Sequence, residues 1–236
     1  MKPDYDTFKE EIENLFRKEL VIYFDTVDYA NHLTDGSDEL NELYYLRHRV
    51  ETITRIRMTA ALDALALSKM LPLDYEAARK WAKYTLQEMN HDKMFMGDLK
   101  RHGVSEDQVF GMEPLPATVE MGTFLEDKIV NWSPLAAVAY SLFVEWNSDQ
   151  YSEQTVDRAE VKYSSSHVKG ARAHVNFDVN EDHLEIMFGV AHSLLTSEQQ
   201  MQQLLETCQV ISKLFRDYFQ QLHQNTVVEN KRLSAA

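Results

Sequence analysis

The first residues whose types and spacing could do chemistry are Glu88 and His91, which lie in a segment with an apolar helical pattern. The apolar stripe from Trp81 to Leu99 passes through both positions, so both side chains are expected to face the core. A buried carboxylate costs several kcal/mol unless it is paired or binds a metal. Residues three apart are neighbours on one helix face, so the two residues are either metal ligands or an ordinary surface pair.

A second candidate is Glu145, which interrupts the most apolar segment of the chain, residues 134–144. Helical spacing from Val138 and Leu142 places Glu145 on the apolar side, where a carboxylate needs a partner or a cation. The alternative is that Glu145 marks the point where the helix emerges into solvent, because polar residues follow at 147–149.

A third cluster of candidate ligands lies between His174 and His183. In a continuous helix His174, Asp178 and Glu181 share one face, and His183 lies on the opposite face as a reserve ligand. The alternative is a helix break at Asn176, because Asp178 and Glu181 also have the spacing of a capping box. Metal binding and helix capping are both consistent with this segment.

Together the three clusters predict a metal site of carboxylates and imidazoles without a thiolate. That donor set suits Fe(II) or Mn(II) better than a structural zinc. The expected ligands are Glu88, His91, Glu145, His174, Asp178 and Glu181, and Asp182 or His183 is the alternative for the last position. Glu145 and Tyr84 are the candidate catalytic residues, because Tyr84 lies one turn before Glu88 and could hydrogen-bond a ligand or donate an electron. The alternative for Tyr84 is core packing.

The elements that must position these residues are helices. The chain has seven glycines and five prolines, and the stretches 37–71, 135–169 and 190–236 contain neither. No segment shows sustained period-two alternation, so no sheet is expected. Helical periodicity and cap signals predict about seven helices. Their expected ranges are 4–25, 38–70, 74–102, 117–131, 135–163, 167–193 and 197–225.

The whole chain, 1–236, is predicted to be one all-α domain, with residues 229–236 as a frayed tail. Its formal net charge of −14 argues against nucleic acid or an anionic membrane as a partner. The N-terminus lacks the apolar core of a secretion signal, and no apolar run is long enough to cross a bilayer. The single cysteine, Cys208, follows the apolar stripe of the last helix, which predicts a packing role. A cytoplasmic location is expected.

At the candidate ligands the sequence resembles the haem-oxygenase-like superfamily, which includes TENA and PqqC proteins and the haem-oxygenase-like di-iron oxidases. The resemblance covers residues 38–220 and rests on Glu88-x-x-His91, the lone Glu145 and His174-x3-Asp178. It implies a helical bundle and a non-haem site for one or two Fe(II) ions, with O2 and a small organic molecule as substrates. It also implies a homodimer.

The resemblance is not complete, because the position of the family's second late histidine is Glu181 in this chain. Other branches of the superfamily supply alternative functions. TENA-type proteins hydrolyse a thiamin pyrimidine without a metal through a mid-chain cysteine, whereas Cys208 is late. PqqC-type proteins oxidise a quinone precursor in a basic, aromatic pocket, and few basic residues are expected near this site. Helix 4–25 has no histidine, so no haem is expected. A non-catalytic ligand-binding protein is the remaining alternative.

Overall fold

In a computed structural model the described residues are 1–230, and the side chains of 177–181 lie outside this description. Within residues 1–230 the secondary structure is helical, without a strand. The α-helices are α1 (Tyr5–Thr26), α2 (Glu42–Met70), α3 (Tyr75–Glu88), α4 (His91–Arg101), α5 (Glu106–Gly111), α6 (Pro116–Asn131), α7 (Leu135–Lys162), α8 (Lys169–Glu181), α9 (His183–Leu194) and α10 (Glu198–His223). A π-helical turn, Gln224–Val228, extends α10. Residues 231–236 of the predicted tail lie outside the described residues.

Several helices begin where a polar side chain caps free backbone N–H groups. Asp4 accepts from the Thr7 N–H before α1, and Asp74 accepts from two N–H groups before α3. Asn41 caps α2, which therefore begins at Glu42 rather than at the expected residue 38. The all-α prediction is confirmed, while two of the expected helices are each divided in two and α5 is additional.

Both divisions lie beside candidate ligands. The expected helix 74–102 is divided at Met89 and Asn90, where the Asn90 side chain donates to the Leu86 carbonyl at 3.0 Å. The expected helix 167–193 is divided at Asp182, which has a left-handed backbone conformation with φ of 50°. Aspartate tolerates this conformation better than most residues. Each division ends one helix and starts the next beside a candidate ligand.

The apolar core has two parts on either side of the candidate site. One surrounds Trp81 and Phe188, and the other surrounds Tyr45 and Phe95. The first two turns of α7, residues 135–142, are buried on all sides. Cys208 is fully buried on the apolar stripe of α10, so its predicted packing role is confirmed.

The start of α8 is fixed against α4 by a carboxylate and a glycine. Asp98 accepts hydrogen bonds from the backbone N–H groups of Gly170 and Ala171, both at 2.8 Å. A Cβ atom at Gly170 would lie 2.0 Å from the Met94 carbonyl oxygen, so only glycine permits this approach. The contact brings His174, one turn further along α8, against the face of α4 that carries His91.

No helix in the described part of the chain combines the length and the apolar character needed to cross a membrane.

Candidate metal centre and adjoining cavity

Glu88, the last residue of α3, lies at the centre of the candidate site. It belongs to two groups of three side chains whose ligand atoms all lie within 4.8 Å of one another. The first group is Glu88, His91 and His174, and the second is Glu88, Glu145 and His183. Four helices besides α3 supply the other members, so the tertiary fold assembles the site.

The first group uses one oxygen of the Glu88 carboxylate. Its Oε2 lies 3.0 Å from His91 Nδ1, and the ring centroids of His91 and His174 are 4.2 Å apart. His91 begins α4 directly after the break at Asn90. The two residues therefore belong to different helices but remain in contact. The ring of Phe95 also packs against His174, with 5.2 Å between centroids.

The second group uses the other oxygen of the same carboxylate. Glu88 Oε1 lies 3.2 Å from His183 Nδ1. The Tyr84 hydroxyl donates to Glu145 Oε1 at 2.7 Å, and the Tyr84 ring packs edge-on against His183. Glu145 is buried, which confirms the inward orientation predicted from its helical register.

The charge state of Glu88 follows from its surroundings. Burial alone would raise the pKa of its carboxyl, but contacts with His183 and His91 outweigh burial and lower the pKa to about 2. Burial and the neighbouring Glu145 and Glu88 carboxylates raise the pKa of Tyr84 well above its ordinary value. Glu88 is therefore an anion and Tyr84 a neutral hydrogen-bond donor at neutral pH.

The donor set fits a hard or borderline divalent cation. His183 Nε2 lies 3.3 Å from Gln87 Oε1, and His183 Nδ1 lies 3.2 Å from Glu88 Oε1. Carboxylate oxygens and imidazole nitrogens are ligands that Fe(II) and Mn(II) accept. An outer partner such as Gln87 also fixes the tautomer of a metal-binding histidine.

The predicted site residues divide into three outcomes. Tyr84, Glu88, His91, Glu145 and His174 come together, although their roles stay predictions. The side chains of Asp178 and Glu181 lie outside the described residues, so their predicted roles as ligands also stay predictions.

The expectation that His183 faces away from the site is wrong, because the break at Asp182 starts a new helix with its own register. On α9 the buried stripe His183, Met187, Val190 and Leu194 follows helical spacing. That stripe is visible in the sequence once α9 is treated as a separate helix.

A cavity of about 300 Å³ adjoins the two groups and is bounded on one side by a polar face of α2. Arg49 and Arg55 lie on this face and are both 8% exposed. The expectation that few basic residues lie near the site is therefore wrong. Asp63, nearer to Glu88 on the same face, is a further residue that the sequence did not indicate. Burial and the Glu88 charge raise the pKa of Asp63 to about 8.

The architecture is the haem oxygenase-like fold, and the predicted resemblance is confirmed at that level. A domain of unknown function from Shewanella denitrificans, with a heme oxygenase-like fold, aligns with a TM-score of 0.78 and 16% identity. The alignment covers 95% of this chain and 94% of that chain.

Two further structures are similar over nearly their whole lengths. A TenA homolog from Pseudomonas syringae has a TM-score of 0.73 and 13% identity, covering 95% of this chain and 98% of that chain. A CADD-like protein of unknown function from Nostoc punctiforme has a TM-score of 0.64 and 11% identity, covering 92% and 99%. The sequence matches no protein-family model and no curated protein. The structural similarity therefore defines the fold and leaves the activity to be inferred from the site.

Proposed function

We propose that the protein is an iron-dependent oxidase or oxygenase that acts on a small organic substrate with O2. The observation that supports this function is the position of Glu88, whose two carboxylate oxygens face two different groups of candidate ligands. A carboxylate shared in this way is the expected arrangement for two neighbouring ions. The same donor set also suits Mn(II).

Glu88, His91 and His174 would hold one ion, and Glu88, Glu145 and His183 the other. Asp178 and Glu181 are proposed as further ligands on α8. Bound Fe(II) would supply the electrons and open coordination positions that O2 chemistry needs. The protein supplies orientation, charge balance and a closed cavity for the substrate.

The surrounding residues have defined proton states. Tyr84 keeps its proton and donates it in a hydrogen bond to Glu145, which fixes the orientation of that carboxylate. Asp63, with a pKa of about 8, is largely protonated at neutral pH and can hold or release a proton beside Glu88. These groups let the site change its proton content without unfolding.

Metal content tests the proposal directly. The protein is loaded with Fe(II) without oxygen, excess metal is removed, and iron per chain is counted before O2 is admitted and the visible spectrum recorded. We expect about two irons per chain and an oxygen-dependent absorption change. About one iron would restrict the function to a mononuclear site, and no retained iron would overturn it.

A metal-free oxidase of the PqqC type is the second candidate function, because Arg49 and Arg55 give the cavity the basic character that this chemistry uses. It predicts substrate oxidation that survives treatment with a chelator. A thiaminase-type hydrolase is less well supported, because burial raises the pKa of Cys208, which packs in the core and does not line the cavity. A cytoplasmic homodimer remains part of the proposal.

A further inference from the structure

Helix α2 carries four arginines in two different environments. Arg47 pairs with the buried Glu51 at 2.7 Å, and Arg57 pairs with Asp92 at 2.9 Å. Arg49 and Arg55 lie between them in sequence and line the cavity, each more than nine-tenths buried. The two cavity arginines therefore differ from Arg47 and Arg57, whose charges are neutralised by carboxylates.

Within the described residues, Arg49 and Arg55 have no carboxylate partner at ion-pair distance. The Arg49 guanidinium lies over the Tyr45 and Phe95 rings, 5.2 Å from each centroid, and its Nε has no hydrogen-bond acceptor among these residues.

Arg55 lies over the Tyr218 ring at 4.4 Å, and its Nη2 makes a long hydrogen bond of 3.4 Å to Thr52. Its Nη1 lacks an acceptor in the same described set. The hydroxyls of Tyr140 and Tyr218 lie beside the Arg55 guanidinium. Aromatic faces and neutral hydroxyls stabilise a guanidinium but supply no counter-charge at ion-pair distance, which an anion could provide.

An arginine cannot avoid this situation by losing its proton, because a guanidinium stays charged in proteins. Burying a charge without a counter-charge destabilises the folded protein, which is the reason buried charges are usually paired. Here two such charges face one cavity in a protein with a net charge of −14. Since the overall charge repels anions, a local cationic pair is what an anionic ligand would need.

The rest of the cavity indicates the body of that ligand. Phe143, Val144 and Phe215 supply apolar and aromatic walls, and Tyr140 supplies a hydroxyl near Arg55. The Phe95 ring contacts both the Arg49 guanidinium and the His174 ring. A single aromatic ring therefore separates Arg49 from the first ligand group. A molecule anchored at the arginines would extend toward Glu88.

We propose that the cavity binds an organic carboxylate, whose carboxylate group is anchored by Arg49 and Arg55 and whose apolar or aromatic body reaches the Glu88 groups. This inference rests on the proposed function, because it names the substrate class of the same site. Its binding step needs no metal, so the two can fail separately.

The test measures ligand binding by calorimetry to the full chain after chelator treatment. The probes are 3-phenylpropanoate, its uncharged amide and the corresponding amine, which share one body and differ in charge. We expect the carboxylate to bind at least about tenfold more tightly than the amide, and the amine not to bind. Equal affinity for carboxylate and amide would overturn the inference without the use of any variant.

Substitutions then locate the anion site. Arg49→Met and Arg55→Met should each weaken carboxylate binding by about tenfold and leave amide binding unchanged. Arg79→Met is the matched control, because Arg79 is exposed and paired only loosely with Glu76. Arg55→Lys retains the charge and should keep part of the affinity, which separates loss of charge from misfolding. Unchanged affinity in both Met variants would overturn the assignment.

Three further outcomes are informative. If phenyl phosphate binds at least about tenfold more tightly than the carboxylate, the ligand is a phosphate ester and the carboxylate class is wrong. If the carboxylate binds but the Fe(II) count is zero, the oxidase proposal fails while the anion site stands. If iron is retained and carboxylates do not bind, the reverse holds.

Discussion

The two ends of the cavity handle charge in opposite ways. At the Glu88 end, anionic carboxylates contact imidazoles, and the pKa of Glu88 falls to about 2 although the group is buried. Along α2, Arg49 and Arg55 are more fully buried than Glu88 and contact aromatic faces instead of carboxylates. The difference indicates that one end suits a cation and the other an anion, so a single substrate could be oriented between them.

Substitution of the shared carboxylate should have the largest effect. Glu88→Ala removes a ligand atom from both groups, so we expect iron retention to fall from about two ions per chain to nearly none. Metal analysis after anaerobic loading measures this, with Glu120→Ala on the exposed face of α6 as the control. If Glu88→Ala folds, as judged by circular dichroism, and still retains two irons, the shared role of Glu88 is wrong.

Loss of one histidine should remove only one side of the pair. His91→Ala affects the first group and His183→Ala the second, so each variant should retain about one iron per chain. The double variant should retain none. Two irons in the His183→Ala protein would show that the second group lacks a metal role and would favour the α8 residues Asp178 and Glu181 as ligands.

Substitution of the α2 arginines should change the stability of the protein as well as its binding of carboxylates. Arg55→Met removes an unpaired buried charge, so the ligand-free protein should gain about 1–4 kcal/mol in its free energy of unfolding. Arg47→Met, on the same helix, should instead lose about 3 kcal/mol, because it leaves the buried Glu51 without its cation. Urea unfolding of both variants measures the contrast. A loss of stability in both would show that Arg55 is a structural residue.

The helical fold and half of the site could be predicted from the sequence, because both depend on local patterns. Long stretches without glycine or proline indicated the helices, and Glu88, His91 and Glu145 were visible as polar residues at apolar positions. The inward orientation of Glu145 and His91 agrees with that reasoning.

The missed features depend on tertiary geometry. One residue, Asp182 with φ of 50°, turns His183 into the site, and a local pattern gives little warning of such a break. The arginines of α2 are closely spaced and resemble a solvated face. Packing against Phe95 of α4 and Tyr218 of α10 buries Arg49 and Arg55, whereas Arg57 is half-exposed. Asp63 was missed for the same reason.

Asp63 gives the most gradual effect, spread over several pH units, and links the two ends of the cavity, because it lies on the arginine face of α2 but responds to the charge of Glu88. Its pKa is about 8 in the folded protein and near 3.8 when exposed. Between these values the unfolded chain has lost the proton that the folded chain keeps. The metal-free protein should therefore lose stability as pH rises from about 4 to 8, by at most about 1.4 kcal/mol per pH unit from this group, and should level off above pH 8.

Asp63→Asn cannot lose a proton, so its stability should lack this decline, and its advantage over the parent protein should grow with pH up to about 8. Urea unfolding at several pH values between 5 and 9 measures the difference. A cation bound at Glu88 should lower the pKa of Asp63 and flatten the profile of the parent protein. Parallel profiles for the parent and Asp63→Asn would mean that the pKa of Asp63 is not raised in the folded protein. The charge of Glu88 would then have no effect on this residue of α2.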